Sequence, residues 1–473
     1  MTTREESDSL GSRRIPADAY YGIHTVRACE NFPISARPIN IYPTLIRALA
    51  SIKQAAARAN ARIGVLEAGR AKLIEAACQE VIDGQLHDQF IVDIIQGGAG
   101  TSTNMNTNEV ITNRALELAG RQKGDYAWLH PNDHTNCSQS TNDVYPTAVK
   151  LALAFALEGL LGELEALADG FGAKAEEFSG ILKIGRTQLQ DAVPMTLGQE
   201  FQAFSVTLHE DVQRLREAVA LLHEVNMGAT AIGTGINAPE GYRQEVIRQL
   251  RAVTGLAVVS SGDLIESTSD TGVFVTFSGA LKRTALKLSK ICNDLRLLSS
   301  GPQAGFAEIN LPPRQAGSSI MPGKVNPVIP EAVNQVAFAV AGADVTVSMA
   351  VESGQLQLNA FEPVIAHSLL QSMTWLQQAC GTLHRHCVQE ITANEQRLRD
   401  SVARSATVIT ALAPVLGYAR AAQLAKLALS SHRPVTQLVG ETELLEPAEL
   451  ARLLDPGTLT GAVQATPAQA VRR

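Results

Sequence analysis

Residues 197–227 read LGQEFQAFSVTLHEDVQRLREAVALLHEVNM. Apolar side chains at Leu208, Val212, Leu215, Val219, Leu222 and Val225 recur three and four residues apart, which puts them on one stripe of an α-helix. Helical spacing also runs through Pro146–Phe178, Tyr242–Thr254, Gly272–Ser299 and Pro330–Val351, with a further stretch around Ala366–Thr392. Little strand pattern separates these runs. Helices this long bury their stripes against one another, so an elongated bundle is predicted for residues 144–395. Such a bundle leaves wide apolar faces uncovered when alone, and association of several copies would bury them. A homo-oligomer is the expectation.

The flanks differ from this centre. Residues 1–143 mix short helical stretches (Thr44–Arg62, Ala68–Asp83, Met105–Leu118) with turns, and residues 396–473 hold shorter helices at Ala406–Leu412, Gly417–Ser430 and Pro447–Leu454. The closing stretch TGAVQATPAQAVRR (Thr460–Arg473) reads as loose. The prediction is therefore a mainly helical, all-α protein of three domains. The chain has 473 residues, 45% hydrophobic and only 4% aromatic, a balance that suits packed Ala, Leu, Val and Ile helices better than a sandwich or barrel. A net charge of −7 without a long Lys/Arg run argues against a nucleic-acid partner. Six scattered cysteines without metal-ligand spacing, and a polar first segment, read as reduced thiols in a soluble cytoplasmic protein. No run of about 18 consecutive apolar residues suggests a membrane span.

Polar clusters interrupt the helical pattern. The densest is QAGSSIMPGKVNPVIP, Gln315–Pro330, with Ser318 and Ser319 after Gly317, then Lys324 and Asn326 before a helix. A loop bearing hydroxyls, an ammonium and an amide ahead of a helix N-terminus suits a small anion. It is not a phosphate-binding P-loop: five residues separate Gly317 from Gly323 where that motif has four, and Val325 replaces the hydroxyl residue that holds magnesium. In GGAGTSTN, Gly97–Asn104, the hydroxyls fit either a helix cap or an anion cradle. HPNDHTNCSQSTNDVYPT, His130–Thr147, places Ser140, Thr141, Asn142 and Asp143 before Pro146; capping accounts for one or two of the four. GRTQLQDAVPMT, Gly185–Thr196, reads as a polar break between helices. GATAIGTGINAPEGY, Gly228–Tyr242, is glycine-rich but lacks both GxGxxG and a preceding strand, so a dinucleotide site is rejected.

Taken together the clusters resemble the aspartase/fumarase superfamily, with GSSIMPGKVNP (Gly317–Pro327) as the shared signature. Within it the chain is similar to the aspartate ammonia-lyases, through PADAYYGIHTVRACENF (Pro16–Phe32), GGAGTSTNMNTNEV (Gly97–Val110), SQSTNDVYPT (Ser138–Thr147), GRTQLQDAVPMTLGQEF (Gly185–Phe201) and KICNDLRLLSSGPQAGFAEINLP (Lys290–Pro312). LGYARAAQLAKLA (Leu416–Ala428) resembles the family's third domain. The resemblance covers nearly the whole chain. It implies a homotetramer with a multi-helix core, and active sites each assembled from three subunits.

The resemblance further implies a carbon–nitrogen lyase that converts L-aspartate reversibly to fumarate and ammonia without an organic cofactor. Divalent-metal activation, known in some relatives, has no His/Cys/Asp cluster here to support it. Ser318 is then the general base and Lys324 its electrostatic support, because a serine acts as a base only when neighbouring charge and amides lower its pKa. Thr101, Ser140, Thr141 and Ser319 match positions around the carboxylate that bears the developing charge. Thr187, Lys324 and Asn326 match those around the other carboxylate, Asn142 lies near the amino group, and Glu331 matches an acid that orients residue 188. His130, Asn132 and Asp133 resemble a peripheral anion site of fumarases.

Two departures favour the ammonia-lyase branch. Gln188 stands where fumarases have His; expelling hydroxide needs a proton donor, which Gln cannot be, whereas an ammonium group leaves as neutral ammonia. Ala99 replaces a Ser common in fumarases, and Thr141 stands where they usually have a second Ser. Fumarate hydratase, a lyase for an N-substituted aspartate, and a crystallin-like structural protein are the alternatives.

Overall fold

The computed structural model describes residues 2–431, 433–442 and 445–460. The end expected to be loose lies outside them from residue 461 on. The chain forms two compact units. One comprises Met1–Gly162, Asp211–Ala285 and Val336–Gln377; the other comprises Glu163–Glu210, Leu286–Gln335 and Gln378–Arg473.

The first unit begins with an antiparallel hairpin, β1 (Thr3–Asp8) and β2 (Gly11–Pro16), in register from Thr3↔Pro16 to Asp8↔Gly11. The expectation for this polar segment held no strands; charged side chains exposed on both strands hid them. Helices α1 (Ile23–Asn31), α2 (Pro43–Arg62), α3 (Ala68–Ile82) and α4 (Thr101–Leu118) follow. Their core is built from small and branched side chains, among them Ala57, Ala71, Ile74, Ala77, Ile111, Ala115 and Leu116. Alanines let helices approach closely, which is how a chain so poor in aromatics fills its interior.

The long helices are α5 (Thr141–Glu177), α6 (Leu197–Ala220), α9 (Gly272–Leu298), α10 (Val328–Glu352) and α11 (Glu362–His386), with α7 (Tyr242–Thr254) and the single turn α8 (Glu266–Ser269) between them. The stripe that predicts α6 is buried at Leu208, Val212 and Leu215, but the helix stops at Ala220. A 3₁₀ turn spans Leu221–His223, and Glu224–Val225 (β5) then pairs in parallel with Val259–Ser260 (β6). Leu222 and Val225 are still buried, so the apolar spacing outlasts the helix it suggests. In the second unit Phe171 of α5 and Phe178, just past its end, meet Phe201 and Phe204 of α6, with ring centroids 5.2–6.0 Å apart.

Residues 185–196, expected as a polar break between helices, belong to a second hairpin, β3 (Leu182–Thr187) and β4 (Gln190–Thr196). Its two turn residues, Gln188 and Leu189, both have positive φ, 53° and 62°. That is the geometry of a two-residue hairpin turn, made here without the glycine or asparagine that would have announced it. After β7 (Ile309–Asn310), which pairs with β8 (Thr392–Ala393), the last helices are α12 (Glu395–Arg404), α13 (Ile409–Leu416), α14 (Tyr418–Ser431), α15 (Val435–Glu441), α16 (Pro447–Leu453) and α17 (Pro456–Leu459). They enclose a core of their own around Leu412, Leu424, Val435, Leu438 and Val439. The protein is mainly helical, as predicted.

Among the described residues one helix, Val328–Glu352, is long and apolar enough to cross a membrane, with mean hydropathy 1.2 and a third of that window buried. Midway along it sits Asp344, buried, accepting from Ser278 Oγ at 2.8 Å and paired with Lys282.

Candidate active site

Two helix starts carry the first group of candidate residues, and both begin earlier than the apolar pattern indicates. Helix α4 starts at Thr101, not Met105. Its N-cap is Gly100, left-handed at φ 86°, with no side-chain cap bond. The hydroxyls of this segment are therefore not spent on capping. Thr101 Oγ1 donates to Gly98 O at 2.7 Å and remains exposed. Gly100 is required: a Cβ there would lie 2.4 Å from the buried ring of Tyr145.

Helix α5 starts at Thr141, five residues before Pro146, because Ser140 and Asp143 form a reciprocal cap. Ser140 Oγ accepts from Asn142 N at 3.3 Å, and Asp143 Oδ1 accepts from Ser140 N at 3.0 Å. This is a capping box with Asp as its acid. Two of the four polar residues are thus structural in part, and Thr141 and Asn142 are left over. Asn104 Nδ2 donates to Thr141 Oγ1 at 3.1 Å, tying the first turns of α4 and α5 together, so Thr101 and Ser140–Asn142 share one unit and one locality.

Beneath them lies a buried polar network that sequence reading did not single out. Lys53 of α2, with no exposed surface, donates to Asn136 Oδ1 at 2.9 Å and Gln139 Oε1 at 3.0 Å. Asn104 and Asn108 donate to the same Asn136 oxygen. Burial lowers the Lys53 ammonium to about 7. Asn142 Nδ2 donates to Ala231 O at 2.7 Å, which brings the glycine-rich segment after Met227 alongside.

The second unit carries the remaining candidates. Gly317 N donates to Lys324 O at 2.7 Å and Asn326 Nδ2 donates to Gly317 O at 2.8 Å, closing residues 317–326 into a compact loop. A Cβ on Gly317 would come within 2.7 Å of Lys324 O, so the closure needs glycine. Inside the loop Ser318 Oγ accepts from Ile320 N at 3.2 Å and Met321 N at 3.0 Å. Ser318 is half-buried, while Ser319 and Lys324 are exposed. The loop tip is apolar and open, with Ile320 83% exposed.

Thr187 closes β3 and Gln188 occupies the hairpin turn, both exposed. Their neighbour Arg186 is committed elsewhere: it pairs with buried Glu308 at 2.6 Å and lies 4.2 Å over the Phe306 ring. Glu331, in the first turn of α10, faces Arg296 at 4.0 Å. Among the described residues no hydrogen bond joins it to Gln188. In the first unit His130 caps a π-turn, Pro131–Thr135, that holds Asn132 and Asp133; His130 and Asn132 line a cavity of about 300 Å³ together with Asp8, His24, Glu109 and Tyr126. His130 Nδ1 accepts from Asn132 N and Asp133 N at 3.2 and 3.4 Å. Among the described residues no group of three or more His, Cys, Asp or Glu is placed to hold a metal ion.

A family model described as lyase matches residues 11–342, and one described as fumarase C C-terminus matches residues 408–461. The chain is 57% identical to an aspartate ammonia-lyase of Pseudomonas aeruginosa over 96% of both chains, and 53% identical to that of Escherichia coli over 94% of both. Among solved structures, a fumarate lyase:delta crystallin from Brucella melitensis, bound to cobalt, superposes with a TM-score of 0.94 at 56% identity, covering 97% of this chain and all of that one. A class II fumarase from Schistosoma mansoni superposes at 0.90 but with only 34% identity, over 97% of this chain and 99% of that one. With the signature loop closed around Ser318 and the family match running through both units, this chain belongs to the aspartase/fumarase superfamily of lyases.

Proposed function

We propose that this chain is an aspartate ammonia-lyase, releasing ammonia from L-aspartate to give fumarate in a reversible reaction. The observation that carries the reading is Ser318, whose Oγ receives two backbone N–H groups in a loop that also presents Lys324. Hydrogen bonds aimed at an oxygen favour its anionic form, and a nearby ammonium adds to them. Ser318 so supported takes the proton from Cβ of aspartate. Electron density moves into the adjacent carboxylate, giving the doubly charged aci form, and donors already in place around that group do most to lower such a barrier. Thr101, Ser140, Thr141 and Ser319 supply them; Thr187, Lys324 and Asn326 hold the other carboxylate. The C–N bond then breaks, its electron pair leaving with nitrogen as neutral ammonia beside Asn142. Gln188 contributes a hydrogen bond and no proton, with Glu331 supporting the same region.

Identity of 52–57% to aspartate ammonia-lyases against 34% to a fumarase supports the amine over the hydroxyl substrate. The site is completed by three subunits of a homotetramer. One fact supports this: α10 exposes Phe338, Val345 and Met349 along one stripe, a surface suited to other copies of the chain. The six cysteines stand as free thiols, which supports a cytoplasmic location. The chemistry uses no cofactor, so dialysis against EDTA should leave turnover unchanged; loss restored by a divalent ion would overturn that part.

The test is to incubate purified protein with L-aspartate and, separately, L-malate, following fumarate by its ultraviolet absorbance. Fumarate from aspartate alone is expected. Fumarate from malate would replace the reading with a hydratase, and silence on both would point to an N-substituted aspartate.

A further inference from the structure

We infer that Asp143 is a positioning residue whose buried carboxylate, together with Asn226, clamps the Asn226–Ala231 segment against Asn142 and makes that segment the amine-side wall of the site. The inference rests on the reading that Asn142 faces the amino group. Asp143 has no exposed surface. Its Oδ1 serves the helix cap through Ser140 N, which alone would explain an acid at this position. The other oxygen does something a cap does not require: Oδ2 accepts from Gly228 N at 3.2 Å and Thr230 N at 3.0 Å, about 85 residues further along the chain. Those two amides converge because Gly228 and Thr230 both have positive φ, 90° and 56°; Thr230 is held there against its own preference.

A second contact ties the same two segments together. Pro146 lies inside α5 and has no N–H, so the carbonyl four residues earlier, Asn142 O, loses its helical partner. Asn226 Nδ2 fills that place, donating to Asn142 O at 3.0 Å, and also donates to Thr268 Oγ1 at 3.0 Å. The Asn142 side chain then donates to Ala231 O. Backbone and side chain of Asn142 are both set by this segment, and its amide orientation follows: with Nδ2 turned to Ala231, Oδ1 is the face left to accept from an ammonium. The segment passes from buried at Thr230 to exposed at Ala231 and Ile232, as a wall meeting an open site must.

The charge on Asp143 matters because only the ionised form offers acceptors to all three amides. Burial raises its carboxyl to about 6, opposed by those amides and by Lys53 of α2. The other group facing it is the buried hydroxyl of Tyr242 on α7.

Full-length Asp143→Asn and Asn226→Ala test the clamp. In Asp143→Asn, kcat/KM for L-aspartate should fall about 10- to 100-fold, the range for losing a hydrogen bond to a charged group, with a thermal midpoint at pH 7.5 close to wild type. The fall in wild-type kcat/KM below about pH 6 should flatten, since an amide does not titrate there. In Asn226→Ala, assayed toward aspartate formation, KM for ammonium should rise about tenfold and KM for fumarate by less than about threefold. Activity of Asp143→Asn within about threefold of wild type, or equal rises in both KM values for Asn226→Ala, would overturn the clamp. If Asp143→Asn does not fold, Asn226→Ala decides alone. Wild type run in parallel separates the failures: no fumarate from aspartate sinks the reaction assigned, whereas active wild type with indifferent variants sinks only the clamp.

Discussion

Ser318 and Asp143 illustrate how much a single residue's role depends on what surrounds it. Ser318 can be picked out from its loop by composition, since Gly, Ser, Lys and Asn gather there, but the two amides that donate to its oxygen converge only when the loop closes through Gly317 and Lys324. Removing the hydroxyl removes the proposed base. Ser318→Ala should therefore lower turnover by at least ~10²–10⁴-fold with an unchanged oligomer by sedimentation; near-normal turnover would take Ser318 out of the mechanism. Glu109 makes a residue-scale prediction about pH. It is fully buried and accepts from Gly22 N, His24 N, Thr25 N and Thr25 Oγ1, yet burial and neighbouring Glu6 raise it from the ordinary 4.5 to about 7. A raised acid contributes stability that is present below the unfolded pKa and is lost as pH rises through the folded one. Between these values the slope is up to roughly 1.4 kcal/mol per pH unit for one proton. Glu109→Gln should be less stable overall, having lost part of its acceptor capacity, but its unfolding free energy should decline less steeply between pH 5 and 7. Parallel declines in denaturant titrations would contradict this.

At the scale of elements, the departures from sequence expectation share one cause. Apolar periodicity marks where a helix buries a stripe, and polar first turns carry none, so the spacing places the starts of α4 and α5 four and five residues late. Those polar turns are where Thr101 and Thr141 sit. The β3–β4 hairpin escapes sequence reading because a Gln-Leu pair does not signal a turn with two positive φ angles. The start of α4 depends on Gly100 lying against Tyr145. Gly100→Ala would force the ring or the helix aside, costing about 1–3 kcal/mol by overpacking. Because the displaced turn carries Thr101, KM for aspartate should rise as well. A variant of wild-type stability and KM would show that the turn is not held by this contact.

The whole molecule is where the apolar surface of α10 belongs. Phe338 and Met349 are 65% and 66% exposed and stand on the same stripe, a pattern that single chains seldom leave to water. Under the proposed subunit-shared site, Phe338→Glu should shift the protein toward smaller species in analytical ultracentrifugation and lower activity with them. An oligomer unaffected by that charge would place the interface elsewhere.

The sequence by itself determined the helical class and the signature loop, and it singled out Ser318, Lys324, Asn326, Thr101 and Ser140–Asn142 as candidates, because helical spacing and clustered polar types are local properties of the chain. Only the tertiary structure decided which hydroxyls are free, which acid is a cap and which a clamp, and where Asn142 points. Asp143 reaches Thr230 across 87 positions and Asn226 reaches Asn142 across 84. Contacts at that separation depend on how helices pack and where φ turns positive, and neither is written in any short stretch of residues.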